Sequence, residues 1–194
     1  MRRMIVPIVL CLFVLVSLSC GKKEKEYTSY PSGGGSIDLE AYQKIESLKK
    51  IVSKDRNNRK AWVMLGNLYF DANQNAEAVK AYREALRLDP NDPNVLTDMG
   101  ICLRRLGRAD EAIEAFRAAI RLKRDHYQSR YNLGLTLLHD KNDLQGALSA
   151  WEELLENVPS FPGRDNLAQR VEALKKMTTE MPAGESHKGE TKKD

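Results

Sequence analysis

The stretch AWVMLGNLYF occupies residues 61–70. Trp62, Leu65 and Tyr69 recur at helical spacing, and Gly66 sits among them. Glycine inside a helix costs about 1 kcal/mol relative to alanine. A helix keeps it where the missing side chain lets a neighbouring helix come close. The arrangement returns down the chain: Gly66, Gly100 and Gly134 recur at one constant interval. Leu65, Met99 and Leu133 precede the glycines, and Tyr69, Leu103 and Leu137 follow at a fixed offset. Ala78 and Ala112 keep the same interval, and Ala147 comes one position later than it requires. Tyr82, Phe116 and Trp151 keep these offsets, as do Ala85, Ala119 and Leu154. The extra residue of the third copy falls in HDKND, 139–143, and is expected to lengthen the turn between two helices. Each copy reads as two helices that bury their apolar faces only by stacking on neighbours. Pro90 and Pro159 are placed to stop the second helix of the first and third copies, where the second copy has Arg124.

This pattern resembles the tetratricopeptide repeat (TPR), a helix–turn–helix unit with the signature W-x2-L-G-x2-Y, then A-x3-F, A and P. Trp62, Leu65, Gly66, Tyr69, Ala78, Tyr82, Ala85 and Pro90 carry the match in the first copy. Leu96 and Arg130 replace the tryptophan, and Leu103 and Leu137 the tyrosine, in the other two. The resemblance implies an all-α fold: a short right-handed superhelix of three repeats, about 59–92, 93–126 and 127–161. Flanking helices over about 37–53 and 165–177 would cap the array, as repeat stacks need. In the first, Tyr42, Ile45, Leu48 (or Lys49) and Val52 share a face; in the second, Leu167, Val171 and Leu174 do. The folded domain is thus expected over 37–177.

The chain opens with MRRMIVPIVLCLFVLVSLSC. Two arginines before an uncharged stretch, Met4 to Ser19, form the n- and h-regions of a secretory signal over 1–19. As a helix that stretch would span about 24 Å, short of a hydrocarbon core of about 30 Å. Ser19-Cys20-Gly21 resembles the bacterial lipobox, although Ser17 stands where that motif prefers leucine. The resemblance implies lipidation of Cys20. Gly21, rather than aspartate, is compatible with outer-membrane sorting. A permanent transmembrane helix and an unmodified Cys20 beside an ordinary cleavage site are the alternatives. With Cys11 in the signal and Cys20 lipidated, Cys102 has no partner for an intrachain disulfide and reads as a small buried hydrophobe. Residues 20–36 read as lipidated cysteine plus flexible tether, spanning roughly 20–25 Å. Residues 178–194 read as a disordered tail.

Chemistry is sparse. Without Arg2 and Arg3 the chain holds 29 basic against 27 acidic residues. No basic run is interleaved with aromatics, so no nucleic-acid partner is expected. His126, His139 and His187 are scattered, without H-x3-H or C-x2-C, so no metal site is expected. No phosphate-binding loop occurs. No enzyme activity, catalytic residue, cofactor or small-molecule substrate is expected.

Binding remains. On a helical wheel Lys60, Val63, Asn67, Phe70 and Asp71 fall away from the face of Trp62, Gly66 and Tyr69. In the family this second face lines a concave peptide groove. The matching positions are Asn94, Thr97, Ile101, Arg104 and Arg105, then Gln128, Tyr131, Leu135, Leu138 and His139. Leu135 and Leu138 could instead pack against the next helices. Val63, Phe70, Ile101, Tyr131 and Leu135 offer apolar anchors, and Lys60, Arg104 and Arg105 outnumber Asp71. A helical or extended protein segment, apolar with some acidic character, is the expected partner. Some family members hold a C-terminal carboxylate with a lysine-rich clamp. Here Asn67 matches, but Val63, Asp98, Gln128 and Asn132 stand at the other positions, so that capture is not expected. The expectation is a lipid-anchored adaptor or assembly factor, outside the cytoplasm on a bacterial membrane. The outer membrane facing the periplasm is favoured, with pilus, secretion or envelope assembly as settings. The rival expectation is a structural subunit that self-associates without a dedicated groove.

Overall fold

A computed structural model describes residues 39–180. They fall within one unit, 34–194; the other, 1–33, lies outside the described residues. So do the signal-type segment, Cys20, the tether and 181–194. Eight helices follow in order: α1 (Leu39–Lys54), α2 (Arg59–Asp71), α3 (Asn75–Leu88), α4 (Pro93–Arg105), α5 (Ala109–Leu122), α6 (Tyr127–Asp140), α7 (Leu144–Asn157) and α8 (Arg164–Glu180). The helix pairs α2–α3, α4–α5 and α6–α7 are the three expected repeats, with α1 and α8 flanking them. The fold is an all-α TPR superhelix. No helix among the described residues is long and apolar enough to cross a membrane.

Local chemistry sets the boundaries. Asn58 and Asp92, one repeat apart, cap α2 and α4 by accepting from backbone amides in their first turns. His126, the next in this series, is the N-cap residue of α6 without a side-chain cap bond. Each turn inside a repeat has three residues, and Asn73, Gly107 and Asn142 take positive φ there, at 58°, 73° and 52°. Asparagine and glycine tolerate this left-handed conformation best. The expected lengthening of the third turn is corrected. That turn keeps three residues, and α6 has 14 where α4 has 13. The insertion is absorbed at the end of α6, where Lys141 N donates to Thr136 O and Asp143 N to Leu137 O, wider loops than a regular helix makes. Proline is not needed as a stop: α5 ends at Leu122, with Lys123 turning extended.

The glycines do what their spacing implies. A Cβ at Gly66 would lie 2.5 Å from the Tyr82 ring, at Gly100 2.6 Å from Phe116, and at Gly134 2.2 Å from Trp151 Nε1. Those rings are fully buried. Arg130 takes the place of Trp62 for a visible reason. Trp62 Nε1 donates to Arg56 O at 3.0 Å, and Arg130 Nε to Arg124 O at 2.9 Å, the same step upstream in both cases. Arg130 also pairs with Glu153 at 2.6 Å.

In α1, Ile45, Leu48 and Val52 are buried, whereas Tyr42, expected on that face, is 53% exposed. In α8, Leu167 and Val171 are buried and Leu174 is half-buried. The helix runs to Glu180, into the start of the expected tail. The stack bends in a defined direction. The backbone of α2 approaches α4, and that of α4 approaches α6, while α3, α5 and α7 do not come as close to one another. The first helices of the repeats therefore form the inner, concave layer.

Candidate functional site

The concave face is built by α2, α4 and α6, whose parallel placement follows from the repeat register. On α2, Lys60 and Asn67 are exposed and Val63 and Phe70 half-buried. Asn67 Oδ1 accepts from the Tyr82 hydroxyl at 2.9 Å, which orients the amide. On α4, Asn94 is exposed and Ile101, Arg104 and Arg105 half-buried. On α6, Gln128, Tyr131, Leu135 and Leu138 are half-buried and His139 exposed. Tyr131 lies tilted against Trp151, ring centroids 6.4 Å apart. Leu135 and Leu138 pack against the cluster of Trp151, Leu154, Leu167 and Val171, so α7 and α8 take part of their surface.

Two expectations change. Thr97 is only 3% exposed. Its hydroxyl donates to Pro93 O and meets Ser129 Oγ, both at 2.6 Å. It belongs to a buried polar junction between α4 and α6, not to an accessible wall. His126 completes that junction, with Nδ1 2.7 Å from Ser129 Oγ and Nε2 2.9 Å from Asn94 Oδ1. Burial, then nearby Lys123, holds the imidazole below its ordinary pKa. The second change is electrostatic. Arg104 Nε is committed to Asp140 at 2.5 Å, and the Arg105 guanidinium lies 4.6 Å above the Phe70 ring. Two of the three cations counted for the groove thus have partners within it, an ion pair and a ring face, and Lys60 stays exposed.

The match to known proteins rests on these repeats. A family model described as "Cytochrome c-type biogenesis protein H TPR domain" covers residues 43–160, more than half of the chain. The chain belongs to this TPR family. Among curated relatives, protein O-mannosyl-transferase TMTC1 of Homo sapiens is 30% identical over 136 residues, 68% of this chain and 15% of that protein. The peroxisomal targeting signal receptor of Kluyveromyces lactis is 32% identical over 101 residues, 49% of this chain and 18% of the receptor. The chain thus spans less than a fifth of either relative. A crystal structure of MamA protein matches with a TM-score of 0.57 and 27% identity, over 60% of this chain and 63% of that one. The Yersinia enterocolitica type III secretion translocator chaperone SycD, 21% identical with a TM-score of 0.56, covers 63% of this chain and 95% of its own, and shows the fold alone.

The TPR register also finds what the wheel passed over. Met64, Asp98 and Asn132 hold equivalent positions in successive repeats and belong to the same concave column. Met64 is 47% exposed, Asp98 half-buried, and Asn132 buried with its amide donating to Gln128 O at 2.8 Å. The Asp98 carboxyl is pushed up to about 6 by burial first, then by Asp92 and Asp71. Cys102 is fully buried and its thiol is pushed up to about 12 by burial, a packing residue with no reactive thiolate. Among the described residues no group of three or more His, Cys, Asp or Glu side chains could hold a metal ion. What the arrangement offers is a row of half-buried apolar side chains beside oriented amides, on a TPR scaffold of the kind that binds proteins.

Proposed function

We propose that this protein is a membrane-tethered adaptor or assembly factor whose concave TPR face holds a helical or extended segment of a partner protein. One observation carries the reading. Half-buried apolar side chains, Val63, Phe70, Ile101 and Tyr131, line the inner layer of all three repeats, beside amides held by defined hydrogen bonds. Such anchors beside fixed polar groups are what segment recognition in a groove requires. The tether and the site of action rest on the sequence: a signal-type segment, a lipobox-like Cys20 and a stretch to residue 36 rich in charge, glycine and serine. The setting we propose is assembly outside the cytoplasm on a bacterial membrane. The family named for cytochrome c-type biogenesis supports an envelope assembly process.

The experiment is site-specific photo-crosslinking in cells at Val63 and at Tyr131, with identification of the adduct. The expected result is one partner captured at both positions and lost when Ile101→Glu is introduced. Adducts only to second copies of this chain would replace the adaptor with the self-associating subunit.

A further inference from the structure

The concave face holds one half-buried carboxylate that the fold leaves unpaired. Asp98 is half-buried in the middle of α4, and none of the ion pairs or hydrogen bonds of the described residues includes it. The cations nearest along its own helix, Arg104 and Arg105, are engaged by Asp140 and by the Phe70 ring. They start about 9–10 Å farther along α4, at roughly 1.5 Å per residue. The charged groups that act on Asp98 are Asp92 and Asp71, both of its own sign. A carboxylate partly removed from water and without a counter-ion is costly, and a cation brought to it relieves that cost. Ile101 lies one turn along α4, Met64 holds the same register position on α2, and the buried Tyr82 hydroxyl feels the Asp98 charge.

Building on the groove reading above, we propose that the partner segment carries a lysine or arginine that pairs with Asp98, set between apolar anchors that take Phe70, Ile101 and Tyr131. This is the opposite sign to the acidic segment the raw residue count implies. The difference arises because Arg104 and Arg105 are engaged within the array, which leaves the exposed Lys60 at the start of α2 as the remaining cation.

The test is selection of a randomised displayed-peptide library on the purified full chain in detergent. Counter-selection uses the Ile101→Glu chain, and peptides retained by both are discarded. The expected outcome is enrichment of one Lys or Arg flanked by apolar residues. On Asp98→Lys the enriched charge at that position switches to Asp or Glu. Asp98→Asn, a variant of nearly the same shape, weakens the wild-type peptides by about tenfold. Groove-dependent peptides that are acidic, or that keep one charge preference on both wild type and Asp98→Lys, overturn the pairing and leave the groove standing. Peptides that bind wild type and Ile101→Glu equally overturn the groove, and the pairing with it. Circular dichroism and melting of each variant establish that the chains compared are folded.

Discussion

At Gly134 the largest of the three compensating rings occupies the space a side chain would take. A Cβ there would sit 2.2 Å from Trp151 Nε1, and that indole is fixed, fully buried and donating to Tyr131 O at 3.1 Å. Gly134→Ala is therefore expected to cost about 1–3 kcal/mol through overpacking, lowering Tm by roughly 5 °C or more in a thermal scan. An unchanged Tm would show that the ring can yield. This close approach was legible in the sequence, because each glycine is followed on the next helix by a large aromatic residue, Tyr82, Phe116 or Trp151. Thr97 was not legible, because its burial comes from Ser129 and His126, which belong to the next repeat boundary and the next inner helix. Asp98 makes a second prediction at this scale. Its folded pKa, about 6, lies above the unfolded aspartate value, so the unfolded chain ionises more readily. Stability is then gained as pH falls through 6 toward 4, and the ionised carboxylate is a cost above pH 6. Asp98→Asn is expected to stabilise by on the order of 2 kcal/mol at pH 8 and by little at pH 4, read from denaturant midpoints. Equal effects at both pH values would mean that the carboxylate is not penalised by burial.

The helix pairs were legible as elements because their apolar faces recur at a fixed interval. Their turns were less so, since one inserted residue gives no sign of whether helix or turn will take it. The turns inside the repeats share a left-handed residue, and Gly107 isolates its effect. At φ 73° nothing lies within 4 Å of where its Cβ would be. Packing is thus absent from the balance and only backbone conformation counts. Gly107→Ala is expected to destabilise by about 1 kcal/mol, and Gly107→Asn by less, because asparagine tolerates this conformation. Asn73 and Asn142 already occupy the corresponding places in the other repeats. Equilibrium denaturation of both variants checks the order. If crowding governed this turn, the larger asparagine would be the worse of the two. The contrast with Gly134 separates two uses of one residue type within the repeat, close approach on the helix and reversal in the turn.

As a whole the molecule is a one-dimensional stack, and that determines how far damage travels. Each helix packs on the next, and the inner helices also meet across repeats, but the backbone of α8 comes close to α7 alone, with the Arg170–His139 contact reaching back to α6. Leu167 and Val171 of α8 close the third cluster, built on Leu148, Trp151 and Leu154. Burying side chains of this size is worth about 1.5–3 kcal/mol each, so a chain ended after Pro162 gives up several kcal/mol at that end. In a repeat array the loss falls first on the neighbour and fades with distance. Ending the chain there is expected to speed amide exchange in α6 and α7 by at least about tenfold, and to leave α2 and α3 within about twofold. Hydrogen exchange read helix by helix makes this comparison directly. Uniform acceleration from α2 to α7 would mean that the array opens only as one cooperative unit. The graded outcome has a consequence for the groove. Tyr131 and Leu135 would lose their support while Val63 and Phe70 kept theirs, so a bound segment would loosen from the third repeat first.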